Sequence, residues 1–136
     1  MSDQAVLATY VEVWWQAVGD LLAVLEHQRS LGWRVALDDV GVGWSSLALV
    51  AAVRPDVVKL DKALVNRLDD AAARAVVGSL VTLAHSLDAV VVAEGVETAE
   101  RADQVRDLGV DLGQGWLFGR PAAARPPAEP ELLPVP

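Results

Sequence analysis

Apolar and polar positions along this chain fall into short runs that alternate between a strand-like and a helix-like character. TYVEVWW, from Thr9 to Trp15, is β-branched and aromatic and predicts a strand. Gly19 and Asp20 then open LLAVLEHQRSL, with Asp20 placed to cap a helix and Gly32 placed to end it. RVALDD, from Arg34 to Asp39, reads as a second strand. SSLALVAAV, from Ser45 to Val53, reads as a short serine-capped helix closed by Pro55. DVVKLD, from Asp56 to Asp61, is a third strand, and the amphipathic AAARAVVGSLVTLAHSL after Asp70 is a long helix ending near Leu87. AVVVAEG, from Ala89 to Gly95, is the clearest strand; Thr98 can cap the helix AERADQVRDL, which stops at Gly109. VDLGQGWLFG offers a fifth strand.

Strand and helix in alternation predict an α/β fold, a parallel sheet of about five β/α units with right-handed crossovers. The strand cores are nearly continuous Val, Ala and Leu, the pattern of a sheet covered on both faces. The domain is expected over residues 1–121. Residues 122–136, which hold five of the chain's seven prolines, read as a disordered tail.

Composition narrows the partners. The chain is 53% hydrophobic but only 5% aromatic, so aliphatic side chains must fill the core. A formal net charge of -8 argues against a nucleic-acid backbone as partner, which needs a basic face. Without cysteine there is no disulfide or thiol chemistry. The opening MSDQAVLATY lacks the basic and apolar regions of a signal peptide, and no apolar stretch reaches the roughly 20 residues of a membrane span. A cytoplasmic chain with no membrane partner is the expectation.

The chemistry-bearing residues gather where strands end. They are Glu12, then the adjacent Asp38 and Asp39, then Lys59 and Asp61, then Glu94 and Glu97, then Gln114. In parallel α/β sheets, ligands collect at the carboxyl ends of the strands. Each residue also has a plain reading. An acidic pair after a strand can be a cap or a solvated turn, Lys59 can snorkel to solvent, and Glu94 can serve the amino end of the next helix. His27 and His85 lie on helices at no ligand spacing and read as structural; the five tryptophans read as core filling and surface cover. A phospho-receiver domain also combines an acidic pair, a lysine and a parallel sheet, but its pair follows the first strand and its lysine the fifth. Here a strand and a helix precede the pair, and Lys59 arrives one short unit later.

DDVGVGWSSL, VVKLDKALV, VVVAEGVETAE and LGQGWLFGRP, in that order and at these gaps, resemble the EAL domain of cyclic-di-GMP phosphodiesterases, from about Leu31 to Pro121. TYVEVWWQAV is similar to the family strand whose first glutamate binds metal, here Glu12. The resemblance implies the carboxyl-terminal portion of a modified (β/α)8 barrel and metal-dependent hydrolysis of cyclic di-GMP to linear pGpG, with Mg²⁺ or Mn²⁺ as cofactor. By resemblance Glu12, Asp38, Asp39 and Glu94 bind metal, Asp38 being shared between two ions. Lys59 would hold the attacking water and Glu94 would activate or position it. Glu97 would pin the loop after the acidic pair, and Asp61 and Gln114 would support substrate at the rim.

The departures count equally. The EAL signature and the asparagine of the following strand are absent from these 136 residues, and a (β/α)8 barrel typically needs about 250. Val40, Val42 and Trp44 stand where the family has phenylalanine, threonine and tyrosine, and Trp14 and Trp15 replace a polar pair. The expectation is therefore weak or vestigial metal binding and a catalytically impaired module that senses cyclic di-GMP or works through protein contacts. The alternative is an active phosphodiesterase, if another chain or an upstream segment completes the barrel. An open sheet edge further predicts a homo-oligomer or a partner protein there.

Overall fold

A computed structural model of the chain describes residues 3–41 and 46–121, with side chains from 16 to 41 and from 47 to 121. Nine elements follow one another: α1 (Asp3–Ser30), β1 (Ala36–Val40), α2 (Ser46–Val53), β2 (Val57–Leu60), α3 (Lys62–Val65), α4 (Ala71–Ser86), β3 (Val90–Glu94), α5 (Ala99–Asp107) and β4 (Leu112–Gln114). The four strands form one parallel sheet in the order β1-β2-β3-β4. The α/β reading holds, with four strands rather than five among the described residues.

The missing strand is the first. Thr9 to Trp15 lies inside α1, which also runs straight through the expected helix start at Gly19 and Asp20. Local composition favoured a strand, but Leu7, Val11, Trp14, Val18, Leu21 and Leu25 recur at alternating steps of four and three, which is helical periodicity. The helix continues unbroken over 28 residues, through the window whose composition favoured a strand. The helix stops where Gly32 takes φ +87°, as its position predicts. Arg29, in the last turn, donates to the carbonyls of Val53 and Arg54 at 2.8 Å each, tying the end of α1 to the end of α2.

The remaining elements start and stop for legible reasons. Asp70 accepts from Ala72 N at 3.0 Å and opens α4; Thr98 accepts from Arg101 N at 3.2 Å and opens α5. Two strand entrances share a device. The Asp56 carboxylate, just before β2, accepts from Val35 N at 2.7 Å, and the Asp111 carboxylate, just before β4, accepts from Val91 N at 2.7 Å. Each stitches a strand's amino end to its neighbour. The Ser45 cap of α2 and the 122–136 tail lie outside the described residues.

The two faces of the sheet differ. Val58, Leu60, Val91 and Ala93 are fully buried against the helices, in one core with Val50, Val65, Leu68, Val77, Leu80 and Val96. Alternate residues face the other way. There Ala36, Val90, Leu112 and Gln114 are exposed, and Val57, Lys59, Val92 and Glu94 are half-buried. That face is apolar toward the strands' amino ends and charged toward their carboxyl ends. Among the described residues no helix is long and apolar enough to cross a membrane.

Candidate functional site

The charged end of the open face is built on an irregularity in β1. Leu37 pairs with Val58 and Val40 with Leu60, so two residues, Asp38 and Asp39, stand opposite Lys59 alone. This is a β-bulge, and its extra residue, Asp39, takes φ +54°. Aspartate tolerates the left-handed region better than most L-residues. In a regular strand, neighbours point to opposite faces. The bulge removes that alternation and lets both carboxylates reach one site. Val40 then returns to the core, 4% exposed. Gly41 follows at φ +107°, a conformation L side chains rarely adopt, and a β-carbon there would sit 2.4 Å from Leu64 Cδ2, so a substitution would strain the backbone and displace the Leu64 side chain.

Lys59 is the centre of the cluster. Its Nζ donates to Asp38 Oδ1 at 3.1 Å and Oδ2 at 3.2 Å, and also makes an ion pair with Glu94. The hydrogen bonds to Glu94 and then Asp38 raise the Lys59 pKa above its ordinary value, so the ammonium stays charged. The same contact from Lys59, with the Asp39 N–H donating to Asp38 Oδ1 at 2.9 Å, lowers the Asp38 pKa. The adjacent aspartates thus already have a counter-charge in the chain itself. Asp38, Asp39 and Glu94 each offer a carboxylate oxygen, all within 4.8 Å of one another. Three hard oxygen donors at that separation fit a Mg²⁺ or Mn²⁺ ion, with waters completing its shell.

The other candidates are placed less centrally. Asp61 caps the single turn of α3, accepting from Ala63 N at 2.7 Å. Glu97 pairs with Lys62 at 2.5 Å; the loop it was expected to pin, with Val42 and Trp44, lies outside the described residues. Gln114 is exposed and stands in register with Glu94 at the ends of β4 and β3. Glu12 sits in helical backbone, so the strand end expected to deliver it does not form there, and its side chain lies outside the described residues.

Trp116, on the turn after β4, is 57% exposed, and Trp33, before the amino end of β1, is 67% exposed, so both belong to the surface part of the tryptophan reading. The Trp116 ring has the Arg120 guanidinium 4.6 Å from its centroid and Lys62 Nζ 5.7 Å from it. The available signal was a tryptophan inside a glycine-bounded turn, followed four residues later by an arginine.

Comparison with known proteins bears on the family and the fold. A cyclic di-GMP phosphodiesterase of Escherichia coli K12, PdeF, is 37% identical over 98 residues, 71% of this chain and 13% of that protein. The manganese and cyclic-di-GMP complex of BlrP1 from Klebsiella pneumoniae superposes with a TM-score of 0.69 at 40% identity, covering 73% of this chain and 26% of that one. The EAL domain of Mycobacterium smegmatis DcpA superposes with a TM-score of 0.69 at 30% identity, covering 76% of this chain and 47% of that one. EAL domains have a TIM-barrel-like fold, of which the four parallel strands here form a part. The chain spans less than a fifth of the length of the curated relatives it matches. The EAL domain profile itself matches residues 6–121, nearly everything up to the proline-rich segment, and on that match the chain belongs to the EAL domain family.

Proposed function

We propose that the chain serves cyclic di-GMP signalling as a nucleotide-sensing or protein-interaction module, catalytically impaired on its own, whose acidic rim binds a divalent cation weakly. The observation that carries this is the Lys59 ammonium between Asp38 and Glu94, with Asp39 brought alongside by the bulge. Asp38, Asp39 and Glu94 would hold the ion, which would supply charge neutralisation at a phosphate and a more acidic water. Weak affinity follows from competition, because Lys59 already occupies the oxygens the ion needs. Impairment follows from exposure. The Asp38 side chain is 60% exposed on an open face, where water screens the charges that catalysis would have to concentrate and leaves the attacking water unaimed.

Thermal unfolding with and without cation tests the reading. Millimolar Mn²⁺ or Mg²⁺ should raise the Tm of the full chain by a few degrees, since about tenfold saturation is worth roughly 1.4 kcal/mol by linkage. Asp38→Ala should abolish the increment while leaving a cooperative transition. An equal increment in both proteins, or none in the parent, would remove the metal from the proposal.

The alternative is an active phosphodiesterase in which a further segment or a second chain covers the open face. The exposed Val90 and Leu112 beneath the charged rim favour it, because such residues are normally buried in a parallel sheet.

A further inference from the structure

Helix α1 carries more apolar surface than its own sheet uses. Among its described side chains only Val18 is buried, with Leu22, Leu25 and Arg29 half-buried along the same row, which packs on the body of the protein. A second row, Ala17, Leu21 and Val24, stands one residue earlier, about 100° round the helix. This row is exposed, Leu21 by 41% and Val24 by 57%. Its spacing continues in the sequence through Trp14 and Tyr10. The polar strip of Gln16, Asp20, Glu26, His27 and Ser30 takes the remaining side. A surface helix needs an apolar stripe of roughly 100°, and α1 has a second one to spare.

The sheet has the matching deficit. On its open face Ala36, Val57 and Val90 stand in register across β1, β2 and β3, and Val92 pairs with Leu112 one step further on. Together they make an uncharged shelf that ends at Lys59 and Glu94. Parallel sheets are ordinarily covered by helices on both faces. The chain's own α1 cannot supply that cover. Arg29 fastens its last turn to the carbonyls of Val53 and Arg54 at the end of α2, and Val50 of α2 sits in the core on the opposite face. At 28 residues α1 is about 42 Å long. Four strands span roughly 14 Å between their outer axes, so one such helix crosses the whole shelf.

We propose that α1 of a second copy lies across this shelf, its Leu21 and Val24 row against Val57, Val90 and Leu112, and that the contact is reciprocal in a two-fold dimer. Each copy then gives a helix and receives one, and both spare apolar surfaces are covered at once. Neither the α1 row nor the shelf bears a charge, so the contact strands none away from water. Two α1 helices paired together would leave the shelf bare, and two shelves paired together would leave the α1 row bare. The acidic rim and its metal take no part.

Sedimentation equilibrium of the full chain at micromolar concentration tests the contact through two variants, one on each surface. Val24→Glu and Val90→Lys should each weaken association about tenfold or more, since each sets an unpaired charge against an apolar surface. Mixed in equal amounts, the two variants should associate again. The mixed dimer keeps one intact helix-on-sheet contact and, in the other, brings the two introduced charges together with opposite sign. Both positions are exposed in the single chain, so both variants should unfold cooperatively. Should Val24→Glu not do so, Leu21→Gln takes its place in the mixture. Association unaltered by the α1 variant would overturn the proposal and, if Val90→Lys still dissociates the protein, would assign the assembly to paired sheet faces. A mixture as dissociated as its components would overturn it, as would a parent that stays monomeric at every concentration. Neither substitution touches the acidic rim, so this result and the thermal test of Asp38→Ala stand or fall separately.

Discussion

Asp39 carries two burdens at one position, a carboxylate for the rim and a left-handed backbone angle of +54° that creates the bulge. The two can be separated. Asp39→Asn removes the charge but keeps a side chain at ease in that conformation, so its stability in EDTA should stay within about 0.5 kcal/mol of the parent. Asp39→Val removes the charge and adds a β-branched side chain that the left-handed region resists, at about 1–2 kcal/mol. Urea midpoints of the two variants measure the difference, and equal midpoints would mean that the bulge is not held by residue 39. The sequence made the acidic pair conspicuous, and Asp38, Lys59 and Glu94 do meet. How neighbours on one strand could share a face was hidden, because a bulge is a matter of backbone angle and leaves no compositional trace in ALDDV. Which tryptophans fill the core and which cover the surface was not legible either, because Trp116 owes its 57% exposure to the turn that carries it.

At the scale of elements, the strand entrances are the features most open to test. Asp111 gives Val91 N its acceptor and also meets His85 Nε2 at 2.9 Å. Burial pushes the Asp111 pKa up, but the Val91 N–H and His85 outweigh it, and the net shift is downward. A carboxyl lowered by folding stabilises the protein above its unfolded pKa of about 3.9 and loses that contribution as pH falls through the folded value. Asp111→Ala should therefore cost about 1–3 kcal/mol near neutrality, because Val91 N loses its partner. The gap between parent and variant should narrow as urea midpoints are followed from pH 7 to below pH 4. A gap constant with pH would show that the lost contact is packing rather than charge. Both entrance aspartates, Asp56 and Asp111, stand plainly before apolar runs, yet strand-end chemistry drew attention to the other end of the sheet. The strand expected at Thr9 to Trp15 shows the opposite failure. Seven residues of strand propensity were read without the longer 3–4 spacing around them, which places the segment in α1.

For the whole molecule, the decisive fact is the inequality of the two sheet faces. One buries Val58, Leu60, Val91 and Ala93 completely; the other leaves Val90 39% and Leu112 58% exposed. The sequence already indicated a sheet meant for cover on both sides, since its strands are apolar in consecutive rather than alternate positions. What covers the second side is a question of partner, which no periodicity encodes. We propose that a second copy does so in the isolated protein. Each side chain on that face contributes about 25 cal/mol for every Å² of apolar area it buries, which favours association as concentration rises. Sedimentation equilibrium at micromolar concentration should then show a dimer or larger species, and Val90→Lys, which sets a charge on the covered face without touching the core, should shift it to monomer. A clean monomer at every concentration, or an assembly indifferent to Val90→Lys, would reject the face as the contact. The same two proteins separate impairment from completion. Two copies of this sheet present two acidic rims and no new type of ligand, so neither form should release pGpG from cyclic di-GMP in Mn²⁺. Turnover in the parent that disappears in both Val90→Lys and Glu94→Ala would overturn the impaired reading, and would mean that covering the apolar face is what aims the attacking water.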